Sequence, residues 1–186
     1  YYINGGLKFE GEYLNGKKWN GKGFNKNEKI VLVINNGIGK GKEYNFLGGL
    51  EFWGEYFNGE KRKGKEYNKN GKLEFEGEYS KGNRWNGSGK EYYDNDKVKY
   101  EGKHKNKKRC KGKGYNHNNN SKLKFEGEYL NGKRNGNGKE YYENGNLKFE
   151  GEYLDGKKWK GKEYDYDGKL KFEGEYKNEN EKEKNI

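Results

Sequence analysis

Apolar and polar residues alternate along short stretches of this chain. In the segment 123–129, which reads LKFEGEY, Leu, Phe, Gly and Tyr alternate with Lys and Glu. A period of two is typical of a β-strand with one apolar face. The segment GKEYY at 138–142 is also strand-like. The pattern therefore predicts two short strands that follow each other closely along the chain.

Turn residues separate the strand-like segments. Asn and Gly tolerate the positive φ of a type I′ turn, so an Asn-Gly pair between two strands indicates a β-hairpin. One hairpin alone is marginally stable, and we therefore expect successive hairpins to pack side by side. We place these Asn-Gly pairs within hairpins: Asn15-Gly16, Asn58-Gly59, Asn131-Gly132 and Asn144-Gly145.

The hairpin unit recurs every 21 to 25 residues. In one degenerate copy Leu32 stands at the position that Gly holds elsewhere, and the first copy is cut short. We predict an array of eight such units over residues 1–176, followed by a charged, disordered tail at 177–186. The repeat glycines that anchor the other copies are Gly11, Gly54, Gly77, Gly102, Gly127, Gly151 and Gly174.

Each repeat glycine lies inside a strand, where Gly is unfavourable and needs a reason. By alternation it shares a face with the Phe and Tyr of its strand. We expect its missing side chain to leave a slot in which a neighbouring ring lies against the backbone. On the opposite face, Lys and Glu of adjacent strands are expected to pair in ladders.

The composition limits the core that this chain can build. Only 27% of the residues are hydrophobic and 38% are charged, but 17% are aromatic. With so few aliphatic residues, we expect a thin core made of rings and no thick two-layer core.

Composition also bears on origin and location. The residue types favour an AT-rich genome, and because Met is absent we expect the chain to be a piece of a longer protein. One Cys excludes an internal disulfide, which suits a reducing, intracellular location such as the cytoplasm. No run is apolar enough to cross a membrane.

The repeated pattern resembles the MORN repeat (membrane occupation and recognition nexus). That family reads roughly Tyr-Glu-Gly-x-Trp, then Asn-Gly-Lys, then Gly-x-Gly. The segments 125–129, 131–133 and 136–138 match it, although Phe replaces the first Tyr and Tyr replaces the Trp. The chain is also similar to the shorter MORN variant of antitoxin-like proteins. The resemblance implies an all-β fold: an elongated, single-layer, twisted antiparallel sheet of stacked β-hairpins.

The resemblance also implies three functions, which the sequence leaves open. The first is a non-catalytic scaffold that binds a protein partner or a second copy of itself. The second is a peripheral module on anionic phospholipid membranes. Members of the family are known near membranes and near the cytoskeleton. The third is an accessory segment of a larger enzyme, such as a phosphatidylinositol phosphate kinase-like protein.

Several exposed aromatic and aliphatic positions are candidates for binding a partner. Trp19, Trp85 and Trp159 follow a turn and either clamp their hairpins or contact a partner, and Cys110 falls in the same slot. Trp53 replaces the first Glu of its repeat, so we expect it to project from the charged face. Val31 and Val33 interrupt the same face in the aliphatic run IVLVI.

The densest positive charge falls within residues 97–113, in a chain of net charge +11. Such a stretch is either a solvated loop or a site for anionic lipid headgroups. Nucleic acid would be attracted by the same charge, but no nucleic-acid motif is present and we do not expect it. The basic residues are Lys97, Lys99, Lys103, Lys105, Lys107, Lys108, Arg109, Lys111 and Lys113.

The sequence offers no catalytic arrangement. The two His, His104 and His117, lie in the basic stretch and in an Asn-rich segment, and no Cys pair or nucleophile motif occurs. The Gly-x-Gly strings precede strands, so we interpret them as connectors and not as phosphate loops. The repeated Glu residues share one environment, whereas acid–base catalysis needs two. We therefore expect no catalytic or metal site, no cofactor and no small-molecule substrate.

Overall fold

The computed structural model describes residues 1–117, 122–178 and 181–184, with side chains up to residue 176. Its sixteen strands form one sheet in which each strand lies beside the next strand in sequence, so the all-β hairpin fold predicted from the sequence is confirmed. The strands are β1 Phe9–Leu14, β2 Lys17–Phe24, β3 Ile30–Asn35, β4 Ile38–Tyr44, β5 Leu50–Phe57, β6 Glu60–Tyr67, β7 Leu73–Ser80, β8 Asn83–Tyr92, β9 Val98–Lys105, β10 Lys108–Tyr115, β11 Leu123–Leu130, β12 Lys133–Tyr141, β13 Leu147–Leu154, β14 Lys157–Tyr164, β15 Leu170–Asn178 and β16 Glu181–Lys184.

The chain folds as two compact units. The first, Tyr1–Gly89, holds β1 to β7 and most of β8, and the second, Lys90–Ile186, holds the remaining strands. In the tail, β16 pairs antiparallel with β15. Residues 179–180 and 185–186 lie outside the described part of the chain, and the disorder expected over 177–186 stays a prediction.

The hairpin turns follow the Asn-Gly signal. Asn15, Asn58 and Asn131 have φ of 50°, 50° and 53° and are each followed by a Gly of positive φ, as the type I′ turn requires. The prediction for Asn144-Gly145 is wrong, because this pair connects β12 to β13 and thus joins one hairpin to the next. There Tyr142 N–H donates to Asn146 O at 2.9 Å, and the Asn144 side chain accepts from Asn146 N–H.

The turn between β9 and β10 lacks the glycine that a type I′ turn favours. Lys107 has φ of 69°, a left-handed conformation that costs a residue with a side chain about 1–2 kcal/mol. We expect Lys107→Gly to raise the free energy of unfolding by about 0.5–1 kcal/mol, because the relief of backbone strain exceeds the opposing effect of Gly, which makes the unfolded chain more flexible. The reverse change in a matched turn, Gly132→Lys, should lower it. Urea unfolding measures both, and equal stability of all three proteins would contradict this reading of the turn.

Paired glycines cross the sheet beneath aromatic rings. In the second unit Gly127 lies directly opposite Gly138, and Gly151 lies opposite Gly161. A Cβ built on Gly138 would lie 2.6 Å from Cζ of Phe125, so the ring of Phe125 rests on both glycines. The sequence predicted such a slot, but the ring in it belongs to the same strand, two residues before the repeat glycine.

The rings form the core on one side of the sheet, which we call the ring face. Phe52, Phe75, Phe125 and Phe149 are at most 2% exposed. Phe52, Phe125 and Phe149 each meet a Tyr edge from their own strand and one from the next repeat. The centroid of Phe125 lies 5.4 Å from that of Tyr129 and 5.3 Å from that of Tyr153. The core is therefore one ring thick, as the composition predicts.

Most hairpins contain a β-bulge just after the turn, which alternation alone did not indicate. Tyr153 pairs with Lys158 while Glu152 pairs with Lys160, so Trp159 is the extra residue. Two residues of one strand then oppose a single residue of its partner, and the strand twists more strongly there. The residues in this bulge position include Trp19, Arg62, Trp85, Cys110 and Trp159.

Candidate functional site

A cation lies over four of the buried Phe rings: Phe52, Phe75, Phe125 and Phe149. The guanidinium of Arg134 lies 4.2 Å from the ring centroid of Phe125, and the ammonium of Lys158 lies 4.8 Å from that of Phe149. Cation–π contacts of this kind are favourable, and the side-chain stems also exclude water. The remaining covers are Lys18 over Phe9, Lys61 over Phe52, Arg84 over Phe75 and Arg109 over Tyr100.

Several of these cations each pair with a glutamate on the ring face. Glu66 lies directly opposite Phe75, and it accepts hydrogen bonds from Arg84 Nε at 2.8 Å and from Tyr79 Oη at 3.1 Å. Burial alone would raise the pKa of Glu66, but the hydrogen bond and charge of Arg84 outweigh it and lower that pKa. Glu66 lies two residues after the ring-face residue Gly64 in β6, so the period-two alternation of the strand would have placed it on the ring face.

The rings of Phe125 and Phe149 are therefore enclosed within the chain. Glycine backbone lies below each of these two rings, a tyrosine edge lies beside it, and a cation paired with a glutamate lies above it. A single-layer sheet has no second layer to cover such rings. Here the rings and their cations shield one another.

The many buried tyrosines make stability sensitive to alkaline pH. Burial, followed by the hydrogen bond to Glu126, raises the pKa of Tyr141 to about 12, and burial also raises the pKa of Tyr79 and Tyr153. Because the folded pKa exceeds the unfolded value of 10.0, the stabilisation is complete below pH ~10 and is lost as the pH rises towards ~12. We expect the guanidinium midpoint to fall between pH ~8 and ~11; an unchanged midpoint would contradict the burial of these hydroxyls.

The opposite side of the sheet, which we call the ladder face, carries alternating Lys and Glu. In the second unit, Lys113 stands between Glu101 and Glu126, and Lys139 stands between Glu126 and Glu150. Lys139 Nζ lies 3.3 Å from Glu150 Oε2. The next pair continues the row, with Lys162 Nζ 3.4 Å from Glu173 Oε1. The ladder predicted from the sequence is confirmed.

Two apolar residues interrupt the ladder face of the first unit. Val33 stands between Lys22 and Lys40, and Trp53 stands between Lys42 and Lys65. Val33 and Trp53 are 41% and 42% exposed, and the ammonium of Lys65 lies 5.8 Å from the Trp53 ring. The projection of Trp53 from the charged face is confirmed.

The other aliphatic and Trp candidates lie in different surroundings. Val31 is half-buried at a bulge between β2 and β3, and this bulge ends the alternation, so Ile30 is 52% exposed. Trp19 packs against the turn at Gly37, where a Cβ would lie 2.6 Å from its Cζ3. Trp85 is half-buried and Trp159 is exposed.

The family model of the MORN repeat matches residues 125–147, which span β11, its turn and β12. The chain carries the MORN repeat. Its described fold, one antiparallel sheet of repeated hairpins, is consistent with a MORN-repeat protein, and MORN is a non-catalytic repeat family. No curated protein matches the chain.

The hairpin β9–β10 carries most of the basic stretch, and strand pairing places its residues in different surroundings. Arg109 turns to the ring face, where it covers Tyr100 and pairs with Glu91, and Lys113 belongs to the ladder. Lys97 precedes β9 and Lys99 lies at its start, where the ammonium of Lys99 lies 5.7 Å from the Tyr93 ring. The structure brings together two like-charged pairs, Lys103 opposite Lys111 and Lys105 opposite Lys108, with Lys107 in the turn.

The described residues of the chain show no group of His, Cys, Asp or Glu side chains that could hold a metal ion. Cys110 is partly exposed and its Sγ lies 3.4 Å from Lys103 O. Across the same residues, no helix has the length and apolarity needed to cross a bilayer.

Proposed function

We propose that the protein is a non-catalytic interaction module whose repeats form a scaffold and whose ladder face contacts a protein partner. One observation carries the proposal: Phe52, Phe75, Phe125 and Phe149 of the ring face are buried beneath cations, whereas the ladder face of the first unit exposes Val33 and Trp53 between lysines. Exposed aromatic residues next to cations are common at the centres of protein interfaces. A second copy of the chain is an alternative partner on the same surface.

The proposal also accommodates a larger enzyme. In an accessory segment of a phosphatidylinositol phosphate kinase-like protein, the array would bind a partner while a separate domain performs the chemistry. The glutamates of the array suit this role, because they recur in ladders and beneath cations, where they stabilise the sheet.

Crosslinking tests the function directly. A photoreactive amino acid at position 55, which lies on the ladder face of β5, should capture a protein in extracts of the source cell. The same group at position 158 on the ring face should not. The captured protein is then purified and its binding measured, while light scattering of the array alone detects self-association. A monomer that captures nothing from either face, or only from the ring face, would contradict the proposal.

A peripheral membrane role is the second candidate, because like charges stand opposite each other on β9 and β10. Such pairs are unfavourable in a sheet, and an anionic surface would relieve the repulsion at about 1 kcal/mol per basic residue. Flotation with phosphatidylserine vesicles at low and high salt tests it. Vesicle binding should weaken with added salt and in the variants Lys103→Glu and Lys111→Glu. Binding that changes with neither the salt nor the substitutions would contradict a membrane role.

A further inference from the structure

The two interruptions of the ladder leave four lysines with too few acidic neighbours. In the second unit Lys113, Lys139 and Lys162 each stand between two glutamates. In the first unit, Lys40 is opposite Glu55 on one side and Val33 on the other, and Lys65 is opposite Glu76 and Trp53. The other two lysines are Lys22 and Lys42. Lys22 is opposite Glu10 on one side and Val33 on the other, and Lys42 is opposite Trp53.

Hydrogen bonding changes at the same place. In the second unit Tyr141 Oη donates to Glu126 Oε1 at 2.6 Å, and Tyr164 Oη donates to Glu150 Oε1 at 2.9 Å. Tyr67 holds the corresponding position in β6, but the residue that corresponds to the acceptor is Trp53. An indole has no acceptor oxygen. Trp53 therefore offers no carboxylate to Lys42, Lys65 or Tyr67.

Further apolar side chains continue the exposed surface on the same face. Ile38 and Phe57, adjacent by alternation to the ring-face residues Gly39 and Tyr56, are 58% and 48% exposed. With Val33 and Trp53 they form a surface over β3 to β5, which we call the Trp53 patch. The lysines that border it lie on β2, β4 and β6, and the five strands span about 19 Å at ~4.8 Å per strand.

We infer that the Trp53 patch binds an extended acidic segment of a protein partner. The inference rests on the proposed function and names the chemistry of the partner. Carboxylates of the segment pair with the lysines that flank the two interruptions, Lys22 and Lys40 beside Val33 and Lys42 and Lys65 beside Trp53. Apolar side chains of the segment cover Val33 and Trp53.

The geometry favours a peptide as the occupant. A distance of about 19 Å corresponds to about six residues of extended chain. Side chains of an extended segment alternate between its two sides, so those on one side are two residues, or ~6.6 Å, apart. A segment in which pairs of Glu alternate with pairs of Leu presents both carboxylates and apolar groups to the sheet. A sheet also presents its cations in fixed rows, which fits an ordered peptide of complementary charge.

The probe is a fluorescein-labelled peptide of about eight residues in which pairs of Glu alternate with pairs of Leu, so that each side of the extended chain carries both. Its binding is followed by anisotropy. The variant Val33→Glu/Trp53→Glu restores the glutamates that the second unit has, so it should fold normally, which circular dichroism and the melting temperature verify. We expect it to bind the peptide at least ~10-fold more weakly, equivalent to ~1.4 kcal/mol. Replacing each Glu of the peptide with Gln should abolish binding by the wild-type chain.

Trp159→Glu is the matched control, because Trp159 is also exposed, at 45%, but lies outside the Trp53 patch. It should bind the peptide as the wild type does. The inference is overturned if Trp159→Glu weakens binding as much as the double variant, if the double variant binds normally, or if the Gln peptide binds as tightly as the Glu peptide. It is also overturned if phosphatidylserine vesicles, and not the peptide, bind in a manner that depends on Trp53.

The failure of this inference is distinguishable from failure of the proposed function. If the peptide does not bind, but a purified partner captured through position 55 binds equally well to the wild type and to the double variant, the interaction module stands and the acidic site falls. If neither the peptide nor any protein binds, both fall.

Discussion

Phe149→Ala should lower the free energy of unfolding by about 3–5 kcal/mol, the usual cost of truncating a fully buried Phe. Phe149 is 0% exposed, and its ring lies over Gly151 and Gly161 and under the ammonium of Lys158. It also contacts the edges of Tyr153 and Tyr176, from its own repeat and the next. Its loss therefore removes contacts that join two repeats as well as those within one.

Leu154→Ala is the control for this prediction, because Leu154 lies in the same strand and is exposed. Exposed substitutions of this kind usually change stability by less than ~0.5 kcal/mol. Guanidinium unfolding followed by circular dichroism measures both variants. Similar losses for Phe149→Ala and Leu154→Ala would show that the ring is not the centre of its repeat.

Gly138→Ala should destabilise the array by about 1–3 kcal/mol, through overpacking. The added methyl would lie 2.6 Å from Cζ and 2.7 Å from Cε2 of Phe125, too close unless the ring moves. The ring has little room to move, because Arg134 covers it and Tyr153 packs against its edge.

A second strand glycine separates overpacking from any general effect of Ala. At Gly114 in β10 the nearest atom to an added Cβ is Tyr129 Oη at 3.6 Å, an ordinary contact. Gly114→Ala should leave stability unchanged or raise it by up to ~1 kcal/mol, because Ala restricts the unfolded chain. Equal losses in the two variants, measured by the same guanidinium unfolding, would contradict the role assigned to the glycine slot.

The hairpins, the glycine row and the ladder were predictable because each depends on local sequence. The positive φ at Asn131 follows from Asn-Gly chemistry, and the pairing of Gly127 with Gly138 follows from the repeat. The exposure of Trp53 was predictable for a similar reason, since its neighbours Phe52 and Gly54 belong to the ring face.

The bulges and the ring-face network were not predicted, because they depend on register between strands. Trp159 is an extra residue only relative to the pairing of Tyr153 with Lys158, which a single strand does not reveal. Asn144-Gly145 has the same letters as a hairpin turn, but β12 and β13 require the longer connection. The basic stretch was predicted as a solvated loop or a site for lipid headgroups, and the sequence did not reveal that strand pairing places Arg109 on the opposite face from Lys113.

The most direct test of the central claim, that hairpins lock through rings that lie on paired glycines, is a nuclear Overhauser experiment on the chain with labelled Phe and Gly. The account predicts cross-peaks from the Phe149 ring to the Hα atoms of both Gly151 and Gly161, with those Hα resonances shifted upfield by the ring. Cross-peaks to neither glycine, with Hα shifts typical of unfolded Gly, would contradict it.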